Sequence, residues 1–347
     1  MQHKLHKTLK TALLEKGENI NLYGCNLCGF VFNQSFDPKK TKYSEDYDNT
    51  QDYSPYFYKY LTKKAIYLIN RYQLKNKKVV EIGCGKGHFL KLLFDLGVKN
   101  IRGFDPAYVN YDPIIDRLVL KKFFNKKNVK EPVDFIICRH VLEHITQPKD
   151  FISSIIDCLK NKGTMYFEFP SLEWIVKNKV FFDFFYEHCN YFTKNTVVKL
   201  FSQLGFNNLV FKYGLNKQYF QLEIGRSNKI CQKQVNISYI SNFINKEVVG
   251  YKKLIDSLGN FVVWGGGAKG VTFLNRLKID YKKSRYLIDI NPNKQNKYIP
   301  ITGQKIVAPE ILKKVDFDAI LIMNPVYEKE IKSMAKKYNF IGRFILV

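Results

Sequence analysis

Strand-like and helix-like stretches alternate along most of this chain. After residue 77, short apolar runs predict five strands separated by stretches of helical spacing. The predicted strands are 78–82, 101–105, 118–121, 133–138 and 163–169, and the predicted helices lie near 87–96, 107–116 and 148–160. This alternation indicates a parallel sheet covered by helices on both faces.

The same pattern returns in the last third of the chain. A helix is predicted at 236–258, and a second strand–helix alternation follows it. Its predicted strands are 260–264, 285–290, 319–323 and 343–346. A second α/β unit is therefore expected after the first.

The remaining segments connect these two units. A helix is predicted at 55–76, a helical and aromatic stretch at 171–205, and an antiparallel hairpin at 206–226. We predict an α/β chain in three parts. These are a short head and tyrosine-rich junction at 1–54 and α/β domains at 55–235 and 236–347.

Composition supports a folded protein. Of the 347 residues, 46% are hydrophobic and 15% aromatic, which is enough for a buried core and excludes general disorder. No apolar run approaches the ~18 residues of a membrane span. No signal-type stretch follows the basic N-terminus. We expect a cytoplasmic protein with no membrane partner.

Cysteine usage and charge narrow the function classes further. The seven cysteines are scattered, which indicates reduced thiols and not a disulfide framework. The net charge of +25 suits a nucleic acid or an anionic substrate. However, the lysines are spread over the whole chain, which favours a generally basic, solvated surface. We therefore do not expect nucleic acid as the partner.

A glycine-rich turn follows the first predicted strand of the first domain. The end of this strand and the turn contain Glu81, Ile82, Gly83, Cys84, Gly85, Lys86 and Gly87. Asp105 ends the next strand and precedes Pro106, and a carboxylate there can accept hydrogen bonds from both hydroxyls of a ribose. An ordinary Rossmann-like turn that binds NAD, or nothing, is the alternative. The turn resembles motif I of the class I S-adenosylmethionine (SAM)-dependent methyltransferases. That resemblance implies a Rossmann-like domain with SAM bound by Glu81, Gly83, Cys84, Gly85, Gly87, Asp105 and Pro106.

A polar cluster follows the fourth predicted strand, at the sheet edge where open parallel sheets bind ligands. It contains Arg139, His140, Glu143 and His144. The segment resembles the V-L-E-H-I segment of small-molecule methyltransferases. The resemblance places Arg139 and His140 near the adenosyl group and His144 beside the reacting methyl. The alternative is that Glu143 and His144 cap or solvate the start of a helix.

An aromatic segment at 181–193 contains the pair Glu187 and His188. A histidine among aromatic side chains is well placed to act as a general base near neutral pH. The segment resembles the E-H-x-x-Y-F segment of sugar C-methyltransferases, which combine a zinc-binding head, a SAM domain and a C-terminal nucleotide-like domain. The resemblance makes His188 the base and Glu187 the residue that orients it, with Tyr186 and Tyr191 beside the substrate. This chain has Phe185 where the family often has Tyr, and a hydrogen-bonded core histidine is the alternative.

The head carries half of a zinc knuckle. Cys25 and Cys28 form Cys-x-x-Cys, and His3 and His6 form His-x-x-His upstream. These four residues would complete a tetrahedral zinc site. A knuckle without metal or a missing N-terminal extension is the alternative. The tyrosine-rich junction also resembles the family, which implies that Tyr47 lines the active site; a solvated surface loop is the other interpretation.

A second glycine-rich turn opens the C-terminal domain. Gly265, Gly267 and Gly270 form G-x-G-x-x-G, and Lys269 adds a positive charge. Such a turn can hold a diphosphate at a helix N-terminus. By resemblance, this domain helps to hold a nucleotide-linked sugar, while a purely structural role is the alternative.

These observations predict SAM-dependent methyl transfer to a nucleotide-linked or otherwise phosphorylated sugar, as C-methylation with His188 as the base. The rival functions are a sugar O-methyltransferase, a nucleic-acid methyltransferase and a non-catalytic nucleotide-binding module.

Overall fold

The computed structural model describes residues 4–41, 50–206, 209–225 and 238–347. The head contains three short elements: α1 (Leu9–Leu13), β1 (Leu22–Gly24) and β2 (Val31–Asn33). Within the described ranges, no helix is long and apolar enough to cross a lipid bilayer.

Helix α2 (Pro55–Tyr72) follows the junction and packs on the first large sheet. Its start is encoded locally, because the Ser54 hydroxyl accepts a hydrogen bond from the backbone N–H of Phe57 and Pro55 occupies the first turn. Its apolar residues recur at helical spacing, and the buried ones are Phe57, Leu61, Ala65, Leu68 and Ile69.

The first domain then continues through eight more strands and several helices. In chain order they are β3 (Val79–Ile82), α3 (His88–Asp95), β4 (Ile101–Phe104), α4 (Pro113–Asp116), β5 (Val119–Leu120), β6 (Val133–Arg139), α5 (Pro148–Ile156), β7 (Leu159–Pro170), α6 (Leu172–Lys177), β8 (Asn190–Tyr191), α7 (Lys194–Ser202), β9 (Leu209–Gly214) and β10 (Tyr219–Ile224). Seven strands of the domain form one sheet in the order β5-β4-β3-β6-β7-β10-β9. The five adjacent strands β5, β4, β3, β6 and β7 are parallel to one another, and β10 is antiparallel to both of its neighbours, β7 and β9.

The C-terminal domain begins with a long helix and is built on a second parallel sheet. Its elements are α8 (Ser238–Asp256), β11 (Phe261–Trp264), α9 (Ala268–Leu277), β12 (Tyr286–Ile288), β13 (Lys305–Val307), β14 (Ala319–Ile322), α10 (Glu328–Lys337) and β15 (Arg343–Leu346). The sheet order is β13-β12-β11-β14-β15. In both sheets the strand before the glycine-rich turn, β3 or β11, lies where the strand order reverses. Ligands bind at such a position in open parallel sheets.

The prediction of two Rossmann-like α/β units is confirmed, but two predicted helices differ. The helix expected at 107–116 is only α4, because Asp112 caps the chain at Ile114 and Ile115 and Pro113 starts the helix there. The stretch 171–205 is not one helical segment. It divides into α6, a 3-10 turn at Phe181–Asp183, β8 and α7, because β8 pairs with β2 of the head.

The aromatic segment joins the two domains. Phe181 and Phe182 pack against Phe273 of α9, with ring centroids 6.1 and 5.9 Å apart. Phe184 lies in the same buried cluster as Phe261 of the C-terminal sheet. These contacts fix the segment that follows, which carries Glu187 and His188, between the two domains.

Candidate active site

The turn after β3 brings the backbone close to a neighbouring side chain. Gly83, Gly85 and Gly87 all have positive φ angles, of +71°, +55° and +79°. A Cβ atom on Gly83 would lie 2.1 Å from Cγ2 of Val141. Gly83 is therefore required both for its backbone conformation and for the space it leaves.

Asp105 holds this turn to the next strand. Its Oδ2 accepts a hydrogen bond of 2.8 Å from the backbone N–H of Gly85, and its Oδ1 accepts one of 2.8 Å from Ala107. Burial raises the pKa of Asp105, while these hydrogen bonds oppose the shift. Asp105 lines the same cavity as Cys84 and Pro106.

Glu81 is a buried acid one residue before the turn. Burial raises its pKa to about 8, although the charge of Arg139 opposes the shift. Its Oε2 has no hydrogen-bond partner within the described structure, and the residue lines the cavity. A buried carboxyl oxygen without a partner is costly, so this position suits a ligand that donates hydrogen bonds or carries positive charge.

The side chains after β6 are held by two buried acids. Arg139 donates hydrogen bonds of 3.1 and 3.0 Å to Oε1 of Glu168, and its guanidinium lies 4.4 Å from the ring centroid of Phe89. His140 lies 3.5 Å from Glu143 and 3.4 Å from Glu168. Burial opposes protonation of His140, but these two acids raise its pKa. Both basic residues line the cavity, and each already lies beside a carboxylate.

The predicted catalytic histidines meet in one cluster. The ring centroids of His144 and His188 are 4.8 Å apart. Nδ1 of His144 lies 2.8 Å from the backbone oxygen of Glu187, and Nε2 of His188 lies 4.0 Å from Oε1 of Glu143. His188 is 8% exposed and Glu143 is 2% exposed. The cavity is lined by Glu143, His144 and His188.

Glu143 is the member of this cluster that sequence reasoning did not select as a site residue. It was open to interpretation as a helix cap, and Glu187 was expected to orient His188. In the structure the Glu143 carboxylate lies opposite the His188 ring, and the backbone oxygen of Glu187 holds His144. The orienting role of the Glu187 side chain stays a prediction. Its position beside His144 in the sequence was the available signal.

Two predicted substrate-binding tyrosines have structural contacts. The Tyr186 hydroxyl accepts a hydrogen bond from the backbone N–H of Asp37, and the Tyr191 hydroxyl donates one to the backbone oxygen of Phe185. Neither belongs to the described residues that line the cavity. Both hydroxyls fasten the aromatic segment to its surroundings, and the expectation that these tyrosines lie beside the substrate stays a prediction.

The second glycine-rich turn faces the same cavity from the C-terminal domain. Gly265, Gly267 and Lys269 line it, whereas Gly270 lies beneath, where a Cβ would be 2.0 Å from the backbone oxygen of Gly265. Lys269 forms an ion pair of 2.9 Å with Asp183 of the first domain. Lys294, which sequence reasoning missed, is 5% exposed and lies 4.0 Å from Asp289 on the cavity wall. The strand-ending Asp289 was the available signal for it.

The zinc site predicted in the head is not supported. Cys25 and Cys28 share a side-chain hydrogen bond. The His6 ring instead lies 3.3 Å from Glu15, and its backbone pairs with Tyr298 of the C-terminal domain. Among the residues described, His6 and the two thiols do not form a cluster of side chains that could hold a metal ion. The other predicted ligand, His3, lies outside the described residues, and so does Tyr47.

One cavity of about 690 Å³ unites these features. Its walls include the turn after β3, the cluster of Glu143 and the two histidines, and the turn after β11. Both glycine-rich turns and the two histidines therefore face the same cavity.

Two domain families match the chain. Residues 56–210 match a family described as "Methyltransferase domain", and residues 245–347 match one described as "C-methyltransferase C-terminal domain". The two matches correspond to the two sheets that enclose the cavity.

Curated relatives are similar over about a quarter of the chain. The tRNA U34 carboxymethyltransferase of Campylobacter hominis is 27% identical over 104 residues, covering 27% of this chain and 36% of the relative. The mitochondrial ubiquinone biosynthesis O-methyltransferase of Schizosaccharomyces pombe is 26% identical over 100 residues, covering 26% and 36%. The matched region thus spans little more than a third of the length of these relatives.

Solved structures match about half of the chain. Magnesium protoporphyrin IX methyltransferase from Synechocystis with bound S-adenosylhomocysteine matches with a TM-score of 0.39 and 17% identity, covering 50% of this chain and 84% of that one. The two family matches, together with the glycine-rich turn and Asp105, identify the chain as an enzyme with a class I SAM-dependent methyltransferase domain and a C-methyltransferase C-terminal domain.

Proposed function

We propose that this enzyme transfers the methyl group of SAM to a carbon atom of a nucleotide-linked sugar, with His188 as the general base. The observation that carries the proposal is the position of His188 on the wall of the cavity enclosed by both domains. A base there is within reach of ligands held by either glycine-rich turn.

The first turn suits SAM. When bound, SAM supplies a methyl group made electrophilic by its sulfonium. The residues proposed to hold it are the Gly83–Gly87 turn, Asp105 and Glu81. The open space at Gly85, where a Cβ would have no neighbour within 4 Å, and the unpartnered Oε2 of Glu81 support this assignment, because they provide a close approach to the backbone and a polar contact for the cofactor.

His188 has the surroundings of a general base. C-methylation beside a ketone requires removal of a proton from the acceptor carbon, and imidazole is suited to this near neutral pH. The nearby carboxylate of Glu143, 4.0 Å from Nε2, would stabilise the imidazolium that forms. We therefore propose Glu143 as a supporting residue for His188, beside the role that the resemblance implies for Glu187.

The second turn suits the phosphates of the acceptor. The N-terminus of α9 presents backbone N–H groups at Gly267 and beyond. Lys269 and Lys294 also line the cavity, where each faces an acid, Asp183 or Asp289. A nucleotide diphosphate at this turn would place its sugar toward the histidine cluster. This arrangement favours a nucleotide-linked sugar over a free one.

Hydrogen exchange tests the proposed proton removal directly. Purified protein is incubated in D₂O with S-adenosylhomocysteine and a panel of keto-sugar nucleotides, and mass spectrometry records deuterium at the carbon beside the ketone. Incubation with labelled SAM then identifies the methylated acceptor. We expect exchange and methylation of the same sugar.

The His188→Asn variant should lose both signals while keeping its affinity for SAM. The loss of a general base typically lowers turnover by about 10²–10⁴-fold. His6→Asn, whose ring lies against Glu15 outside the cavity, is the matched control and should retain both signals. Wild-type turnover in His188→Asn would contradict the proposed role of His188.

The same experiments separate the rival functions. Methylation of a sugar without deuterium exchange at the carbon beside its ketone would indicate sugar O-methylation. Methylation of RNA but not of sugars would indicate a nucleic-acid methyltransferase, the class suggested by the net charge of +25. Nucleotide binding without any methyl transfer would indicate a binding module.

A further inference from the structure

The histidine cluster has a property that is independent of methyl transfer. Glu143, His144 and His188 each present one ligand atom, and the three atoms all lie within 4.8 Å of one another. The three side chains also line the central cavity. We propose that this trio binds a divalent transition-metal ion of the zinc class, with a further coordination position open to the cavity.

The tautomer of His144 favours this ligand role. Its Nδ1 lies 2.8 Å from the backbone oxygen of Glu187. A carbonyl oxygen only accepts hydrogen bonds, so Nδ1 carries the proton and Nε2 of the neutral ring keeps its lone pair. Metal-binding histidines are commonly oriented by this kind of contact to a backbone carbonyl.

The carboxylate and the second imidazole need only small movements. Oε1 of Glu143 lies 4.0 Å from Nε2 of His188. Zinc bonds of about 2.0–2.2 Å in a tetrahedron require ligand atoms roughly 3.5 Å apart, so a closure of about half an ångström suffices for this pair. Two imidazoles and one carboxylate with an open position form a ligand set that zinc accepts.

Local charge also favours a cation at this position. Glu143 is almost fully buried, and its Oε2 has no hydrogen-bond partner in the part of the chain that the structure describes. His140, 3.5 Å from Oε1 of Glu143, competes with the metal for this carboxylate when protonated, whereas Arg139 is paired with Glu168. A metal ion bound by both oxygens of this carboxylate would also satisfy Oε2, which the described part of the protein leaves without a partner.

Metal binding has a consequence for activity. The ion would occupy a lone pair of the His188 imidazole, the ring to which the proposed function assigns proton removal. Zinc is then a reversible inhibitor, and a chelator restores turnover. This consequence rests on the proposed function, whereas metal binding itself does not.

Cobalt(II) titration tests the binding. The tag-free full chain is first treated with a chelator, and Cys25→Ser and Cys28→Ser are introduced to remove the thiols of the head. Co²⁺ is followed by its visible absorption and displaced with Zn²⁺. We expect one equivalent to bind, and expect Glu143→Gln, His144→Asn and His188→Asn each to weaken binding by about tenfold or more.

His6→Asn in the same background is the matched control and should bind Co²⁺ as the parent does. Circular dichroism verifies that each variant is folded, and Glu143→Gln preserves the shape of the side chain. Absence of binding, or equal binding by parent and all three cluster variants, would overturn the metal site. Binding at the trio without inhibition by zinc would leave the metal site standing and count against His188 as the base.

Discussion

At the residue scale, Glu81 is a buried acid on the cavity wall, and its burial controls its ionisation. Burial raises its pKa to about 8, so the free enzyme holds it largely protonated at neutral pH. A cationic cofactor at this position favours the carboxylate form. Binding of SAM should therefore release a proton and strengthen as the pH rises.

We predict that the Kd for SAM falls between pH 6 and about pH 8 and then levels off. Below the raised pKa, each pH unit can improve affinity by at most about tenfold, since one proton is displaced. Calorimetry in buffers of different ionisation enthalpy measures both the Kd and the proton release. Glu81→Gln should remove this part of the pH dependence, and an unchanged profile in that variant would exclude Glu81 as its source.

Residues at strand ends were predictable, and residues brought together by later segments were not. Glu81 lies near the end of β3 and Asp105 follows β4, its parallel neighbour, so their approach to one edge follows from the alternation alone. The contact between Glu143 and His188 depends on how the aromatic segment returns to the sheet. That path is set by Phe181 and Phe182 packing on α9, a long-range contact without local periodicity.

At the scale of elements, the turn between β3 and α3 offers a matched pair of substitutions. Gly83 and Gly85 both have positive φ, so alanine at either position should cost about 1 kcal/mol in backbone conformation. Only at Gly83 would the new Cβ meet a side chain, Val141, whereas nothing lies within 4 Å at Gly85. We predict that Gly83→Ala costs a further ~1–3 kcal/mol of unfolding free energy from overpacking.

Urea denaturation of the two variants measures this difference, and a double-mutant cycle assigns its cause. Val141→Ala removes the atom that Gly83→Ala would contact, so the double variant should recover most of the extra loss. Gly85→Ala should instead be detected mainly as weaker SAM binding. Equal destabilisation by both alanines would show that close approach at Gly83 is unimportant.

Short elements were the least predictable part of the fold. Strands β1, β2 and β8 contain two or three residues each and form a sheet between the head and the aromatic segment. Two or three residues are too few to show the alternation of apolar and polar positions that is typical of a strand. This explains why 171–205 was interpreted as helical. The long α2 has a capping serine, a first-turn proline and a complete apolar face, and it matched expectation.

At the scale of the whole molecule, polar pairs fasten the two domains around the cavity. Lys269 pairs with Asp183 at 2.9 Å, and the buried side chains of Gln218 and Asn324 exchange two hydrogen bonds of 2.8 and 3.2 Å. Burial raises the pKa of Asp183, and Lys269 opposes that shift. Removing the lysine alone would leave a buried acid without its countercharge.

We predict that Lys269→Met destabilises the protein more than the double change Asp183→Asn with Lys269→Met. Breaking one partner of a buried pair can cost about 3–5 kcal/mol, and the partial exposure of Lys269 places the expected loss at the lower end or below. Urea denaturation of both variants gives the comparison. Lys332→Met, which breaks a more exposed pair with Glu328, is the control and should cost less than about 1 kcal/mol. A double variant no more stable than Lys269→Met would argue against coupling across the cleft.

The net charge of +25 makes salt dependence a test of acceptor size. Binding of a polyanion releases counterions, so log affinity falls with log salt concentration by about 0.7 per neutralised phosphate of a single strand. A sugar nucleotide carries only a diphosphate, so we predict a slope below about 2 for the acceptor KM in this salt series. An RNA contact of five phosphates would give a slope of about 3.5, even if each individual contact were weak. The Kd for SAM, measured across the same salt series, controls for general effects on the fold. A steep slope for the acceptor beside a flat one for SAM would contradict a sugar nucleotide as the acceptor, because two phosphates cannot release that many ions.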